Sequence, residues 1–173
     1  MIEKSILDNL MIHVSQKDMS AFEKLYYELK GGVYGLGLII TKSPYDAEDI
    51  MQNTFIRVWD KAYTYHPGTD ARAWTMKIAR NLAITKYNEK KRFVELDFEI
   101  QSEDAFTQSI NSQILEPLLS LLKIEEREIV TLYAMGFSQK EIAGIINKPY
   151  ATVRWKYSNA IKKLSALEKE VTI

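Results

Sequence analysis

The chain has 173 residues, 46% of them hydrophobic, and its 23 basic and 23 acidic side chains cancel to a formal charge of zero. It has no cysteine and two histidines, His13 and His66, which lie far apart in sequence. That excludes a disulfide framework, a thiolate metal site and a cysteine nucleophile, and argues against a histidine-based metal or acid–base centre. No apolar run is long enough to span a bilayer, and the opening MIEKSILDNL carries acids among its apolar residues, unlike a signal peptide. The expectation is a soluble cytoplasmic protein of one domain or two small ones, with no metal and no cofactor.

Residues 1 to about 30 have the pattern of a helix, with Phe22, Leu25, Tyr26 and Leu29 as its core stripe. Gly31-Gly32 is expected to interrupt it. Val33 to Thr41 then resumes as an apolar segment, in which Gly35 and Gly37 would each cost a helix about 1 kcal/mol relative to Ala. Those glycines point either to a close helix contact or to a buried strand, although no partner strand is evident. Ser43-Pro44-Tyr45-Asp46 is a helix start, with Ser at the N-cap, Pro at the first position and Asp in the first turn. The helix that follows has Ala47, Ile50, Met51, Thr54, Phe55, Val58, Trp59 and Ala62 on one stripe. Glu48, Asp49, Gln52, Asn53 and Arg57 lie off it.

Tyr63 to Asp70 reads as a loop from its Pro-Gly and Thr-Asp content. A further helix runs from about Ala71 to Arg92, with Trp74, Ile78 and Leu82 in one apolar row and Met76, Ala79 and Ala83 beside it. From Asp70 to Arg92 seven basic residues face two acidic ones, a net charge of +5. Cations interleaved with Trp74 and Tyr87 suit unpaired nucleic acid, where aromatics stack on bases and cations hold phosphates. Trp74 as an ordinary core residue fits the same periodicity.

Phe93 to Asn111 reverses the sign, with Glu95, Asp97, Glu99, Glu103 and Asp104 and no basic residue. It is expected to be a linker between helical domains. From Ser112 to Ala134 helices resume on a core of Ile114, Leu118, Leu119, Leu121, Leu122, Ile129, Val130, Leu132 and Tyr133. Val171-Thr172-Ile173 is expected to fray.

The segment Gly136 to Leu164 has the pattern of a helix-turn-helix. Ser138 and Glu141 stand at capping-box spacing, and Ile142, Ala143, Ile145 and Ile146 form the apolar face of a first helix. Asn147-Lys148-Pro149 ends that helix, because Pro149 supplies no N–H and turns Lys148 away from helical ψ. In the second helix Val153, Tyr157, Ala160, Ile161 and Leu164 make the inner stripe. Thr152, Arg154, Trp155, Ser158, Asn159 and Lys162 face outward, and such a helix can enter a major groove. Gly136 to Lys169 again carries seven basic residues against two acidic ones. Trp155, two residues from both Val153 and Tyr157, is expected to face outward; the alternative is that it covers the core.

DAEDIMQNTFIRVW (Asp46 to Trp59) followed by RAWTMKIARNLAITKY (Arg72 to Tyr87) resembles the second conserved domain of bacterial sigma factors. GFSQKEIAGIINKPYATVRWKYSNAIKKL resembles their fourth, and the short connection between the blocks resembles the extracytoplasmic-function group. The resemblance implies an all-α protein: residues 1–93 for polymerase docking and minus-10 melting, 94–111 as an acidic connector, and 112–173 as the minus-35 helix-turn-helix domain. It implies a non-enzymatic factor that binds core RNA polymerase and promoter DNA, and it leaves open whether an anti-sigma factor holds the protein inactive. By position, Asp49, Gln52 and Asn53 fall where the family docks on polymerase; Asn53 replaces the usual Glu. Trp74, Arg80 and Asn81 fall on the promoter-melting helix, with Asn81 where a flipped minus-10 base is read. Lys86, Lys90, Lys91 and Arg92 would track the adjacent phosphates, and Thr85 replaces a common Asp. Thr152, Arg154, Trp155, Lys156, Ser158 and Asn159 fall on the minus-35 reading helix. There Trp155 stands for the usual Ser, and Lys156 and Asn159 stand for Arg. The rival is a helix-turn-helix regulator with an N-terminal sensory or dimerisation domain, against which the second +5 helix argues.

Overall fold

The computed structural model describes the backbone of residues 3–96 and 121–171, with side chains over 3–92 and 121–166. All regular structure among these residues is helical: α1 (Lys4–Ser15), α2 (Met19–Thr41), α3 (Pro44–Lys61), a 3-10 turn (Ala62–Thr64), α4 (Ala71–Leu96), α5 (Ile124–Ala134), α6 (Gln139–Ile146) and α7 (Tyr150–Val171). Helices α1 to α4 pack as one cluster, and α5 to α7 as a second.

The single helix expected at the start is two. Lys17 takes the left-handed conformation at φ 66°, and the Asp18 carboxylate accepts the N–H groups of Ser20 and Ala21 at 2.9 and 3.1 Å. An Asp bonded to its own backbone starts a new helix more readily than it continues an old one. Gly31-Gly32, expected to interrupt, does not: α2 passes through all four glycines to Thr41. The reason lies in packing. A Cβ on Gly37 would lie 3.3 Å from the Ala47 Cα of α3, and a Cβ on Gly32 would lie 2.8 Å from the Met76 methyl. The glycines let α3 and α4 approach α2, and the strand alternative falls.

Ser43 caps α3 as expected, accepting the Asp46 N–H at 3.2 Å. Ala47, Ile50, Thr54, Phe55, Val58 and Ala62 are buried, while Met51 and Trp59 are partly so. Helix α4 is rotated from its expected register. Its deepest positions are Ala71, Thr75, Met76, Ala79 and Ala83, and the bulkier Trp74, Ile78 and Leu82 lie half-buried beside them. Small side chains take the closest line of approach. The helix also continues past Arg92 to Leu96. The remainder of the expected acidic linker, and the core positions Ile114, Leu118 and Leu119, lie outside the described residues, as do Thr172 and Ile173.

In the second cluster Leu122, Ile129 and Leu132 are buried, but Leu121 and Tyr133, expected in the core, are each 45% exposed. Tyr133 lies on the flank of α5, its ring 4.5 Å from that of Tyr157. Ser138 and Glu141 form the expected capping box, and Asn147, left-handed at φ 55°, closes α6 by donating its N–H to the Ala143 carbonyl. On α7 Val153 and Ala160 are buried, whereas Ile161, expected on the inner stripe, is 37% exposed. Val153, Tyr157, Ala160 and Leu164 already occupy the line facing α5 and α6, and Ile161 falls one step beyond it.

The two clusters also pack on each other. Helix α2 lies against α5 and α4 against α6, and the buried residues of both form one continuous core.

Candidate nucleic-acid interface

Helix α3 presents Asp49, Gln52, Asn53 and Ile56 at helical spacing on one face. Asn53 donates to the Asp49 carbonyl at 2.8 Å and to its carboxylate at 2.9 Å. Ile56 is 58% exposed beside them, a large apolar group among polar neighbours. Core periodicity in the sequence does not mark it, because it lies off the core stripe.

Asp49 is also tied to α4: the Lys86 ammonium lies 3.2 Å from its free oxygen. Lys86 lies 4.0 Å from buried Asp46 as well, and Lys90 pairs with the other Asp46 oxygen. The hydrogen bond that Lys86 donates to Asp49 raises the Lys86 pKa. Two of the four cations assigned to phosphates are therefore held by carboxylates of α3, while Lys91 and Arg92 lie on the exposed end of the described α4 side chains.

Further up α4, Asn81 and Lys77 are exposed. They line a cleft of about 450 Å³ together with Arg80, Glu125, Ile146, Asn147 and Lys148. Arg80 is turned away from solvent, with Nη2 3.2 Å from the Glu128 carboxylate of α5; its side chain is 15% exposed and that of Glu128 is fully buried. Burial pushes the Glu128 carboxyl up against the pull of Arg80. Trp74 packs edge-on to Tyr65, ring centres 5.8 Å apart, against the first core. Arg72 donates to the Met135 carbonyl and stacks 4.3 Å above the Phe137 ring, and burial lowers its pKa.

On α7 the expected reading set divides. Arg154, Trp155 and Ser158 face solvent, with Trp155 64% exposed, and Thr152 is half-buried. The inward alternative for Trp155 does not hold. Lys156 and Asn159 turn instead to the first turn of α5: Lys156 pairs with Glu125, and Asn159 lies 3.4 Å from Glu126. Lys163 adds a bond of 2.7 Å to Glu126, and Lys148 approaches Glu125 at 3.7 Å. No local pattern in the sequence singles out Glu125, Glu126 and Glu128, because the periodicity of α5 marks only its apolar residues.

Comparison with known proteins returns two family models: sigma-70 region 2 over residues 25–93, and sigma-70 region 4 over residues 112–164. The ECF RNA polymerase sigma factor EcfG of Rhodopseudomonas palustris is 30% identical over 128 residues, covering 70% of each chain. Two solved structures share the fold. One is the sigma factor RpoE in complex with the anti-sigma factor NepR from Bartonella quintana, with TM-score 0.73 and 23% identity over 86% of this chain and 96% of that one. The other is CnrH in complex with the cytosolic domain of CnrY, with TM-score 0.74 and 22% identity over 95% and 98%.

Proposed function

The chain belongs to the ECF RNA polymerase sigma factors and directs core RNA polymerase to promoters, and from that premise we propose how its surfaces divide the work. Residues 1–93 form the docking and minus-10 domain and 112–173 the minus-35 domain, with 94–111 between them; the matched ranges ending at 93 and resuming at 112 support this division. Asp49, Gln52 and Asn53 take the polymerase, with Ile56 adding apolar contact at their centre. Asn81 reads an unpaired minus-10 base, and Arg80, Lys86, Lys90, Lys91 and Arg92 serve the adjacent phosphates. Trp74 supports the start of α4 against Tyr65. Thr152, Arg154, Trp155, Lys156, Ser158 and Asn159 belong to the minus-35 helix, and the solvent-facing trio of Arg154, Trp155 and Ser158 reads its bases.

The observation that carries this reading is the exposure of Trp155 beside Arg154 on the outer face of α7. Arg154 has the fork that binds guanine O6 and N7, and Trp155 offers an apolar face to a thymine methyl. The protein performs no chemistry of its own; RNA synthesis is the polymerase's. It acts in the cytoplasm, a reading supported by the lack of a helix among the described residues long and apolar enough to cross a membrane. An anti-sigma factor is its natural regulator, on the ground that both solved relatives were captured with a protein bound.

Selection of sites from random duplexes with the holoenzyme tests the assignment. Arg154→Ala is expected to relax one G position, and Trp155→Ser to shift preference at a neighbouring A/T position. An unchanged site preference in Trp155→Ser refutes its base-reading role.

A further inference from the structure

The seam between the two helical clusters is polar where α4 meets α5. Arg80 reaches Glu128 through one nitrogen at 3.2 Å. Its Nε and the second Glu128 oxygen, Oε1, are both buried without a hydrogen-bond partner. A guanidinium and a carboxylate can form two parallel bonds, so this pair is half-satisfied. A buried pair in that condition recovers little of its desolvation cost, although removing one member strands the other. Around it, Arg72 is bonded to the Met135 carbonyl and stacked on Phe137, and Lys4 bridges Asp70 and Glu141. The seam thus uses Arg72 and Arg80 of α4 and Lys4 of α1 as its fasteners, and Glu128 fills the place at Arg80 that an anionic ligand of α4 would take.

We propose that Glu128 is a positioning residue for promoter engagement, acting through Arg80: it holds the guanidinium inside the closed packing, and this contact must part before α4 receives DNA. The proposal rests on the reading of α4 as the minus-10 helix. A pair bonded at one point is suited to that task. It is specific enough to orient the two clusters, yet it leaves Arg80 able to gain a second bond on a phosphate. Asn81, next in the chain, is already exposed on the wall of the same cleft, which the same movement would widen.

The test uses the free full-length chain and a fluorescent pool of random single-stranded DNA. Glu128→Gln keeps the shape and removes the charge. It is expected to raise affinity for the pool on the order of tenfold, the scale of one charged hydrogen bond. A second arm exploits the absence of cysteine from the chain. Lys77→Cys of α4 with Lys148→Cys of the turn between α6 and α7, both lining the cleft, are joined by a short bismaleimide. The joined protein is expected to lose binding in both the wild-type and the Glu128→Gln backgrounds, while singly labelled controls keep it.

Unchanged affinity in a folded Glu128→Gln, or full binding by the joined protein, overturns the proposal. If Glu128→Gln does not fold, the joined protein alone decides. Arg80→Ala in the holoenzyme separates the two layers. Normal promoter opening there defeats the assignment of Arg80 to DNA. Impaired opening combined with a failed cross-link arm defeats only the role of Glu128.

Discussion

Gly35 and Gly37 stand two residues apart on α2, and their replacement by Ala should have different effects. In a helix interior Ala is favoured over Gly by about 1 kcal/mol. At Gly35 the new methyl would meet only the tip of Met135, at 3.7 Å, an ordinary contact with a flexible side chain. That gain should survive, so Gly35→Ala is expected to stabilise by up to about 1 kcal/mol. At Gly37 the methyl would lie 3.3 Å from the Ala47 Cα, 3.5 Å from Ile50 and 3.6 Å from the Ala47 Cβ. The first of these is backbone, so α3 itself must shift. Overpacking of this kind costs about 1–3 kcal/mol, which cancels or exceeds the propensity gain. The two variants should differ by about 1–3 kcal/mol in urea unfolding, read as midpoints at matched slope. If Gly37→Ala proves as stabilising as Gly35→Ala, the close α2–α3 approach is not what the glycine provides.

Gln52→Ala with Asp49→Ala should fold normally, since an exposed ion pair such as Asp49–Lys86 contributes about 0–1 kcal/mol, yet fail to retain core polymerase in a pull-down; retention at the wild-type level refutes the docking face. Asn81→Ala, at an exposed position, should leave polymerase binding intact and weaken promoter opening by about 1–3 kcal/mol, the scale of one base contact, as seen by permanganate footprinting. For Glu141, burial pushes the carboxyl up, but bonds from Lys4 and Ser138 outweigh it and bring it down to about 2. A depressed carboxyl stabilises the fold above its ordinary 4.5 and loses that contribution as pH falls toward about 2. The stability gap between wild type and Glu141→Gln should therefore be widest near neutral pH and shrink on acidification; a constant gap would show that the charge on Glu141 is not responsible.

Signals confined to one helix were legible in the sequence. The Ser43-Pro44 start, the Ser138–Glu141 box and the Asn147-Pro149 stop each rest on a few adjacent residues whose backbone bonding is fixed locally. What failed needed a second element. Gly31-Gly32 has the look of an interruption because the neighbour that uses the missing side chain of Gly32, Met76, lies elsewhere in the chain. The inner face of α4 was misjudged for a related reason: periodicity weights bulky residues, and the closest line of packing is taken by small ones. Lys17-Asp18 is a local signal masked by the periodicity on either side of it: Asp followed by Met-Ser is a helix N-cap inside an otherwise periodic run. In the candidate interface, position within a motif identified the cations but not their partners. Arg80 belongs equally to the helix proposed to receive DNA and to a buried pair, and only the fold brings Glu128 to it.

Those partners change how the protein should respond to salt. Seven basic residues are assigned to DNA: Arg80, Lys86, Lys90, Lys91, Arg92, Arg154 and Lys156. If all seven met phosphates of duplex DNA, Arg154 included, the logarithmic salt slope would reach about six, since each neutralised phosphate releases about 0.9 of a counterion. In the free chain, however, Arg80, Lys86, Lys90 and Lys156 already sit on Glu128, Asp49, Asp46 and Glu125. When such a lysine moves to a phosphate it leaves a carboxylate behind. That carboxylate gathers a cation of its own, so the exchange releases little net salt. Binding of the free chain to duplex DNA should therefore show a slope well below about six. Glu125→Gln, which leaves Lys156 without its acid, should steepen the slope by about one. A wild-type slope near six, or no change in Glu125→Gln, would mean that these pairs do not compete with DNA, and that Glu125 serves only to fasten the first turn of α5 to α7.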